Sequence, residues 1–300
     1  MEIAVIGAGL AGLVAARRLA DAGQEVTVFD KSRGLGGRLA SRRREGWAFD
    51  HGAPGVDPAG SGLSAWLAEA EAAGAADPTG SAPNTHRGLP GMSGLVKPLA
   101  EGLEIRREVT VEQVLTQGAG FRLVAAHGQE LGRFDRVISA IPVVQARRVL
   151  SGVLGGNGVG ALESVVMDPC WTLMAGWTVD PKPNAPATAE PFAAILRQDR
   201  GRPVWVAHAS PGWSRAHLEQ EAERIRPVLL NALMAQLGTT TLPAIAMAHR
   251  WRFARTARPL GRPFLSEAGG RVLAGGDWAL GPRAGHAWAS GAAMAEALLA

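Results

Sequence analysis

Cysteine is almost missing: Cys170 stands alone in 300 residues. That excludes an internal disulfide framework and points to a reducing, cytoplasmic setting. With no second cysteine and no clustered histidines, no metal centre is expected. Long hydrophobic runs are missing too, none approaching the roughly 20 residues of a membrane helix. Met1 stands so close to the first apolar run that a signal peptide has no room. Lysine occurs only at Lys31, Lys97 and Lys182, so the other cations among the 31 are arginine, the side chain suited to bidentate contact with phosphate or carboxylate. The net charge is +4 and the pI about 10.1. The basic residues are nevertheless scattered rather than striped, so neither nucleic acid nor a membrane is expected as a partner.

What is present is apolar: 47% hydrophobic residues against 19% charged, enough for well-packed cores. A chain of 300 residues lies where one core stops growing and a second domain is usual. Ile3 to Ile6 reads as a buried strand that breaks into Gly7, Gly9 and Gly12. From Ala11 the spacing turns helical up to Gly23, and Glu25 to Phe29 is a second strand. In such a βαβ unit Gly7 serves the tight turn, Gly9 the approach of backbone to a pyrophosphate and Gly12 the packing of helix on strand. The helix N-terminus favours the phosphates. Asp30, closing the second strand, accepts hydrogen bonds from a ribose and repels a 2′-phosphate, so NADP is disfavoured as the ligand of this site.

Further along, Trp47 to Asp50 reads as a short strand running into His51, Gly52 and Ala53. Leu63, Trp66, Leu67 and Ala70 mark a helix ending at Gly74. Residues 74 to 91, with Pro78, Pro83 and Pro90, read as a loop at the edge of a substrate mouth. Residues 93 to 99 suggest a short helix, and 104–114, 121–126 and 136–140 three strands. The glycine-rich passage 151–160 is the clearest boundary. Beyond it, residues 171–177, 192–196, 204–209 and 244–253 suggest antiparallel strands, with a helix over 215–237 split at Pro227. Residues 271 to 273 form a strand opening into Gly275, Gly276 and Asp277, and a last helix starts near Ala287. Asp277, at the end of that strand and beside glycines, can accept hydrogen bonds from a ligand's hydroxyls.

The run Arg33, Gly34, Gly36, Gly37, Arg38 and Ser41 resembles the second glycine motif of glutathione-reductase-like or amine-oxidase-like FAD proteins. The resemblance implies an arginine, Arg38, on the pyrophosphate, with Arg42 to Arg44 as surface charge. More narrowly, KSRGLGGRLASRR, DHGA, RGLPGM, MDPCW, WVAHASPGWSRAH, AHRW and AGGDW followed by AWASG resemble, in that order, the bacterial renalase-like NAD/FAD-dependent oxidoreductases.

This implies an α/β fold, with a Rossmann FAD domain (1–57, 92–150 and 266–300) and an α+β substrate domain on an antiparallel sheet (58–91 and 151–265). It also implies non-covalent FAD near Gly7, Gly9, Gly12, Asp30, Lys31, Arg33, Gly37, Arg38, His51, Gly52, Val109, Asp277 and Trp288. Val109 would hold the adenine through its backbone. The implied reaction oxidises isomeric dihydronicotinamide dinucleotides by hydride transfer to flavin N5, with dioxygen as acceptor and hydrogen peroxide as product. His208, Trp213, Arg215, His249 and Trp251 are the candidates on the substrate side. An amine or apolar alkene oxidised on the same scaffold, or FAD binding without catalysis, stay open. The chain departs from the family at Pro54 and Gly55, in a shortened stretch up to Met92, and at Gly285, where the family tends to carry an acid.

Overall fold

Ile3, Ala4 and Val5 have no accessible surface, as suits the strand they form, β1 (Glu2–Ile6), inside the larger of the molecule's sheets. A parallel strand covered on both faces is apolar throughout. The computed structural model describes residues 1–58, 62–78, 85–181, 188–199 and 201–300. After β1, α1 (Leu10–Asp21) returns the chain to β2 (Glu25–Asp30), parallel to β1. Gly23, with φ +77°, closes α1 in the left-handed conformation expected of its cap.

β3 (Ser41–Arg44) and β4 (Trp47–Asp50) make a hairpin. In α2 (Leu63–Ala72), Leu63, Trp66 and Leu67 share one core with α1 and with Ala292 and Met294 near the C-terminus. This segment, expected with the substrate domain, packs against α1 and the C-terminal residues of the nucleotide-binding layer. In the loop expected over 74–91, β5 (Ala76–Asp77) and β6 (Arg87–Gly88) pair as a ribbon. The Arg87 guanidinium fastens it by donating twice to Asp77, at 3.0 and 2.7 Å. Pro83 lies outside the described residues.

α3 (Lys97–Ala100) leads into β7 (Glu104–Arg107). The single strand expected over 104–114 is two. Glu108 sits at φ +59° and turns the chain, so β7 pairs with β2 while β8 (Gln113–Gln117), β9 (Gly120–Val124) and β10 (Glu130–Phe134) form a separate antiparallel meander. β11 (Arg136–Ser139) then returns to lie parallel beside β1. The glycine-rich boundary is partly helical: α4 (Val143–Val149) is followed by α5 (Gly156–Glu163). A Cβ at Gly158 would stand 2.1 Å from the Glu267 carboxylate, which also accepts the Gly155 amide at 3.0 Å.

The smaller sheet holds β12 (Val166–Gly176), β13 (Phe192–Asp199), β14 (Pro203–Ala209) and β15 (Ile245–Arg258), in the order β13-β14-β12-β15. Between β14 and β15 along the chain lie α6 (Pro211–Ala216) and α7 (Ala222–Leu237). The expected helix therefore breaks before α7 and runs through Pro227. Its buried stripe of Ile225, Leu229, Leu233 and Leu237 explains this. Four buried aliphatic side chains at about 1.5 kcal/mol or more each outweigh the roughly 3 kcal/mol that an interior proline costs. The stripe covers Trp171, Leu173 and Trp177 on one face of the sheet.

The chain closes in the larger sheet with β16 (Phe264–Glu267), β17 (Val272–Gly275), α8 (Asp277–Leu280) and α9 (Ala284–Leu299). Its order is β16-β17-β11-β1-β2-β7, parallel except for β16 at one edge. Gln198 joins the smaller sheet to the β3–β4 hairpin. From β13 it donates to the Asp50 carbonyl at 3.0 Å and accepts the Asp50 amide at 3.0 Å, fixing the end of β4 one residue before His51.

Candidate active site

The two glycine motifs, far apart in local structure, lie against each other. Gly7 turns at φ +108°, and a Cβ at Gly12 would stand 1.9 Å from the Gly7 carbonyl, so nothing larger than glycine lets α1 pack here. The Gly36 amide donates to the Ala8 carbonyl at 2.9 Å. A Cβ on Gly37 would meet only the Gly9 Cα, at 3.5 Å, and one on Gly9 would meet nothing within 4 Å. Gly9 thus borders open space at the start of α1, a helix with neither a side-chain cap nor an acid in its first turn. Its free N–H groups and dipole favour an anion there. Asp30 accepts from the Ala8 and Ser32 amides, both at 2.7 Å, and a carboxylate retains lone pairs for hydroxyl donors. Lys31 and Arg33 are exposed. The Val109 amide donates to the Asp30 carbonyl at 3.0 Å, so that N–H is already engaged within the chain.

Arg38 and Asp277 come together from opposite ends of the sequence. The guanidinium donates to both carboxylate oxygens, at 2.7 and 2.5 Å, and to the Ala254 carbonyl at 3.2 Å. Thr256, which the sequence reading passed over, donates its hydroxyl to Asp277 at 3.1 Å. Gly52 lets the chain leaving β4 cross this point, since a Cβ there would lie 2.0 Å from the Arg38 carbonyl.

Over this layer lies the second face of the smaller sheet. Its cross-strand neighbours Thr172, His208 and His249 bring two of the candidate histidines together, and His51 meets them from below. The His51 and His249 rings lie 4.9 Å apart, and Trp251 lies 5.0 Å from His51 and 4.5 Å from His249. The Trp251 indole N–H donates to the His51 carbonyl at 3.1 Å. His208 Nδ1 is 3.0 Å from the Thr172 hydroxyl. His208 Nε2 and His51 Nδ1 are buried with no partner.

Burial holds these imidazoles neutral. His51 falls to about 3, through desolvation first and then the charges of His249 and Arg42, with His208 adding a smaller effect and a backbone hydrogen bond to Ala40 opposing. His208 falls to about 4 by desolvation, and His249 to about 4 by desolvation and Arg42. Cys170, on the same face, has its thiol pushed up to about 11 by burial. It is therefore no thiolate nucleophile at neutral pH.

Trp251 and Thr256 stand five residues apart, and unbroken alternation would send them to opposite faces. Between them the register slips: Cys170 faces Trp251 but Asp168 faces Arg255, two residues of β12 against four of β15. The pairing is irregular here, and both residues reach the nucleotide-binding layer, Trp251 at His51 and Thr256 at Asp277.

The other motif of the substrate side does not join this cluster. Trp213 stacks on His217 with centroids 3.9 Å apart, and its amide is capped by Ser210 at 3.2 Å. Arg215 pairs with Asp168 at 2.6 Å. Ser214 accepts the Trp171 amide at 3.0 Å. These contacts make α6 a packing piece on β12. Trp288 packs against Trp66, centroids 5.2 Å apart, in the core between α2 and α9.

Sequence comparison accords with this layout. A profile of NAD(P)-binding Rossmann-like domains matches residues 5–70, and one of flavin-containing amine oxidoreductases matches residues 62–152. Over the second of these stretches the chain is similar to flavin-containing amine oxidoreductases. The chain shares its fold with a putative protoporphyrinogen oxidase from Exiguobacterium, at TM-score 0.77 and 15% identity over 99% of this chain and 98% of that one. It likewise matches putrescine oxidase, at TM-score 0.74 and 14% identity over 100% and 99%. It is 52% identical to a 4,4'-diapophytoene desaturase of Staphylococcus aureus over 52 residues, which span 17% of this chain but only 10% of that enzyme. The match to flavin-containing amine oxidoreductases implies FAD as the cofactor. The residues fit that cofactor: the open cradle at Gly9, Gly37 beside it, the uncapped start of α1, and Asp30, Arg38 and Asp277 would hold it.

Among the described residues no helix is long and apolar enough to cross a membrane, and no group of His, Cys, Asp or Glu is placed to hold a metal ion.

Proposed function

We propose that this flavoprotein oxidises isomeric dihydronicotinamide dinucleotides, forms of NAD(P)H with the hydride on the wrong ring carbon, to NAD(P)+. FAD, when bound, supplies the hydride acceptor at N5 and hands the electrons to dioxygen. The dihydropyridine loses a hydride and becomes an aromatic pyridinium. Dioxygen gains two electrons and two protons, one from that hydride and one from solvent, giving hydrogen peroxide.

The observation that carries this reading is the neutral ring cluster of His51, His249 and Trp251 over the cofactor layer. Such a hydride transfer needs orientation rather than a general base. The cluster provides flat surfaces, and the protonated Cys170 offers no competing nucleophile. The unpartnered His51 Nδ1 and His208 Nε2 suit a polar ring substituent such as a carboxamide. A polyene would leave them unsatisfied, at about 1–3 kcal/mol each. The charge that reaches the cluster is the Arg42 cation, which opposes a protonated amine. Anaerobic mixing of the FAD-loaded protein with an isomeric dihydronicotinamide dinucleotide is expected to bleach the flavin absorbance rapidly. A flavin that stays oxidised sinks the proposal.

A further inference from the structure

Arg42 looks from the sequence like one member of a solvated basic run, but its place in the hairpin sets it apart. In β3 it stands opposite Phe49 of β4, and directly opposed residues of an antiparallel pair share a face. Phe49 has no accessible surface and packs with Met174, Val206 and Met247 of the smaller sheet. The Arg42 side chain therefore leaves the hairpin on the side turned to that sheet, where Met247 is followed two residues later by His249. Arg42 itself is exposed, and its charge acts on both His51 and His249.

Nearby, Arg38 is paired with Asp277 and Arg44 with Glu45. Arg42 has no carboxylate partner among the described residues. An unpaired guanidinium fork at the edge of an uncharged aromatic cluster suits a planar, bidentate anion.

We propose that Arg42 selects the substrate by its phosphate, binding the phosphoryl group esterified to the ribose of a dihydronicotinamide whose ring lies against His249 and Trp251. The inference rests on the proposed function and names the group by which its substrate is chosen. Arg42 acts as a specificity residue away from the reacting carbon.

The test compares two isomeric dihydronicotinamides, the 5′-mononucleotide and the riboside without phosphate, with the wild type, Arg42→Gln and Arg42→Lys. The wild type is expected to show a KM for the mononucleotide about 10-fold or more below that for the riboside, the range of one charge-assisted hydrogen-bonded contact. In Arg42→Gln that ratio falls toward one, and in Arg42→Lys most of it returns. A ratio in Arg42→Gln equal to that of the wild type overturns the inference, whatever happens to kcat. If the wild type oxidises neither compound, the proposed reaction fails, and anion selection is read from the flavin absorbance change on titration with inorganic phosphate. Loss of that change in Arg42→Gln sustains an anion site, and no change in the wild type overturns it.

Discussion

The cofactor layer and the sheet above it are built on different terms. Around Gly7, Gly12, Gly37 and Gly52 the shape of the site lies in the backbone, in conformations and close approaches that a side chain would prevent, and Gly9 leaves open space beside them. On the face carrying His208, His249 and Trp251 the backbone is ordinary antiparallel strand, and the site consists of side chains whose character depends on their neighbours. The first kind of site tolerates almost no change at its glycines. The second can change its substrate while the fold stays whole.

The sharpest way to break this comparison is Gly12→Ala. The added methyl would lie 1.9 Å from the Gly7 carbonyl, and overpacking of that severity is expected to cost about 3 kcal/mol or more. Thermal unfolding and FAD content should both collapse; a variant with native melting and full flavin would show that the turn is not constrained as described.

The next effect separates the two Trp-containing motifs. Trp251→Leu is expected to lower kcat/KM by about 10-fold to 100-fold, the scale of lost substrate positioning, with FAD content retained. Arg215→Ala removes only an exposed pair with Asp168 and should change stability by less than about 1 kcal/mol, with activity within about twofold of the wild type. Steady-state kinetics on both variants would reverse the assignment of the motifs if Arg215→Ala proved the more damaging.

The smallest effect is one of pH. His51, His208 and His249 titrate near 3 to 4 in the folded protein, below their ordinary value of 6.5. Between those values the unfolded chain binds more protons than the folded one, so stability rises with pH across this window and is lost as pH falls from 6.5 toward 4. Melting curves should show that acid-side fall, and His208→Gln should flatten it. An unchanged slope in the variant would mean that His208 is not held neutral by burial.

Sequence legibility follows the same division. The βαβ unit, the second glycine motif and Asp277 could be read directly, because glycine spacing reports backbone geometry locally. The smaller sheet was legible as strands, and His249 and Trp251 as candidates, but the same residue types in α6 lie in contacts apart from the histidine cluster. Nothing local distinguishes Trp213 stacked on His217 from Trp251 beside His51, since the difference lies in which face a distant element covers. Arg42 was hidden for a related reason. Its role depends on standing opposite Phe49, which the period of the hairpin reveals only when the register is known. The splitting of 104–114 turned on Glu108 adopting a left-handed conformation, for which its residue type gives no signal. The assignment of α2 to the nucleotide-binding layer came from packing against α1 and α9, far away in the chain.

The slipped register in β15 has a further implication for how such proteins diversify. Because β15 carries two extra residues against β12 between Trp251 and Arg255, an irregular segment separates the part of the strand that meets His51 from the part that meets Asp277. A segment ending at Trp251 can be exchanged for one of another length or pattern without turning Thr256 away from the carboxylate. The slip is a seam where a new specificity can be grafted onto an inherited flavin holder, and chimeras crossing over there should keep the cofactor more often than those joined within the regular part of the strand.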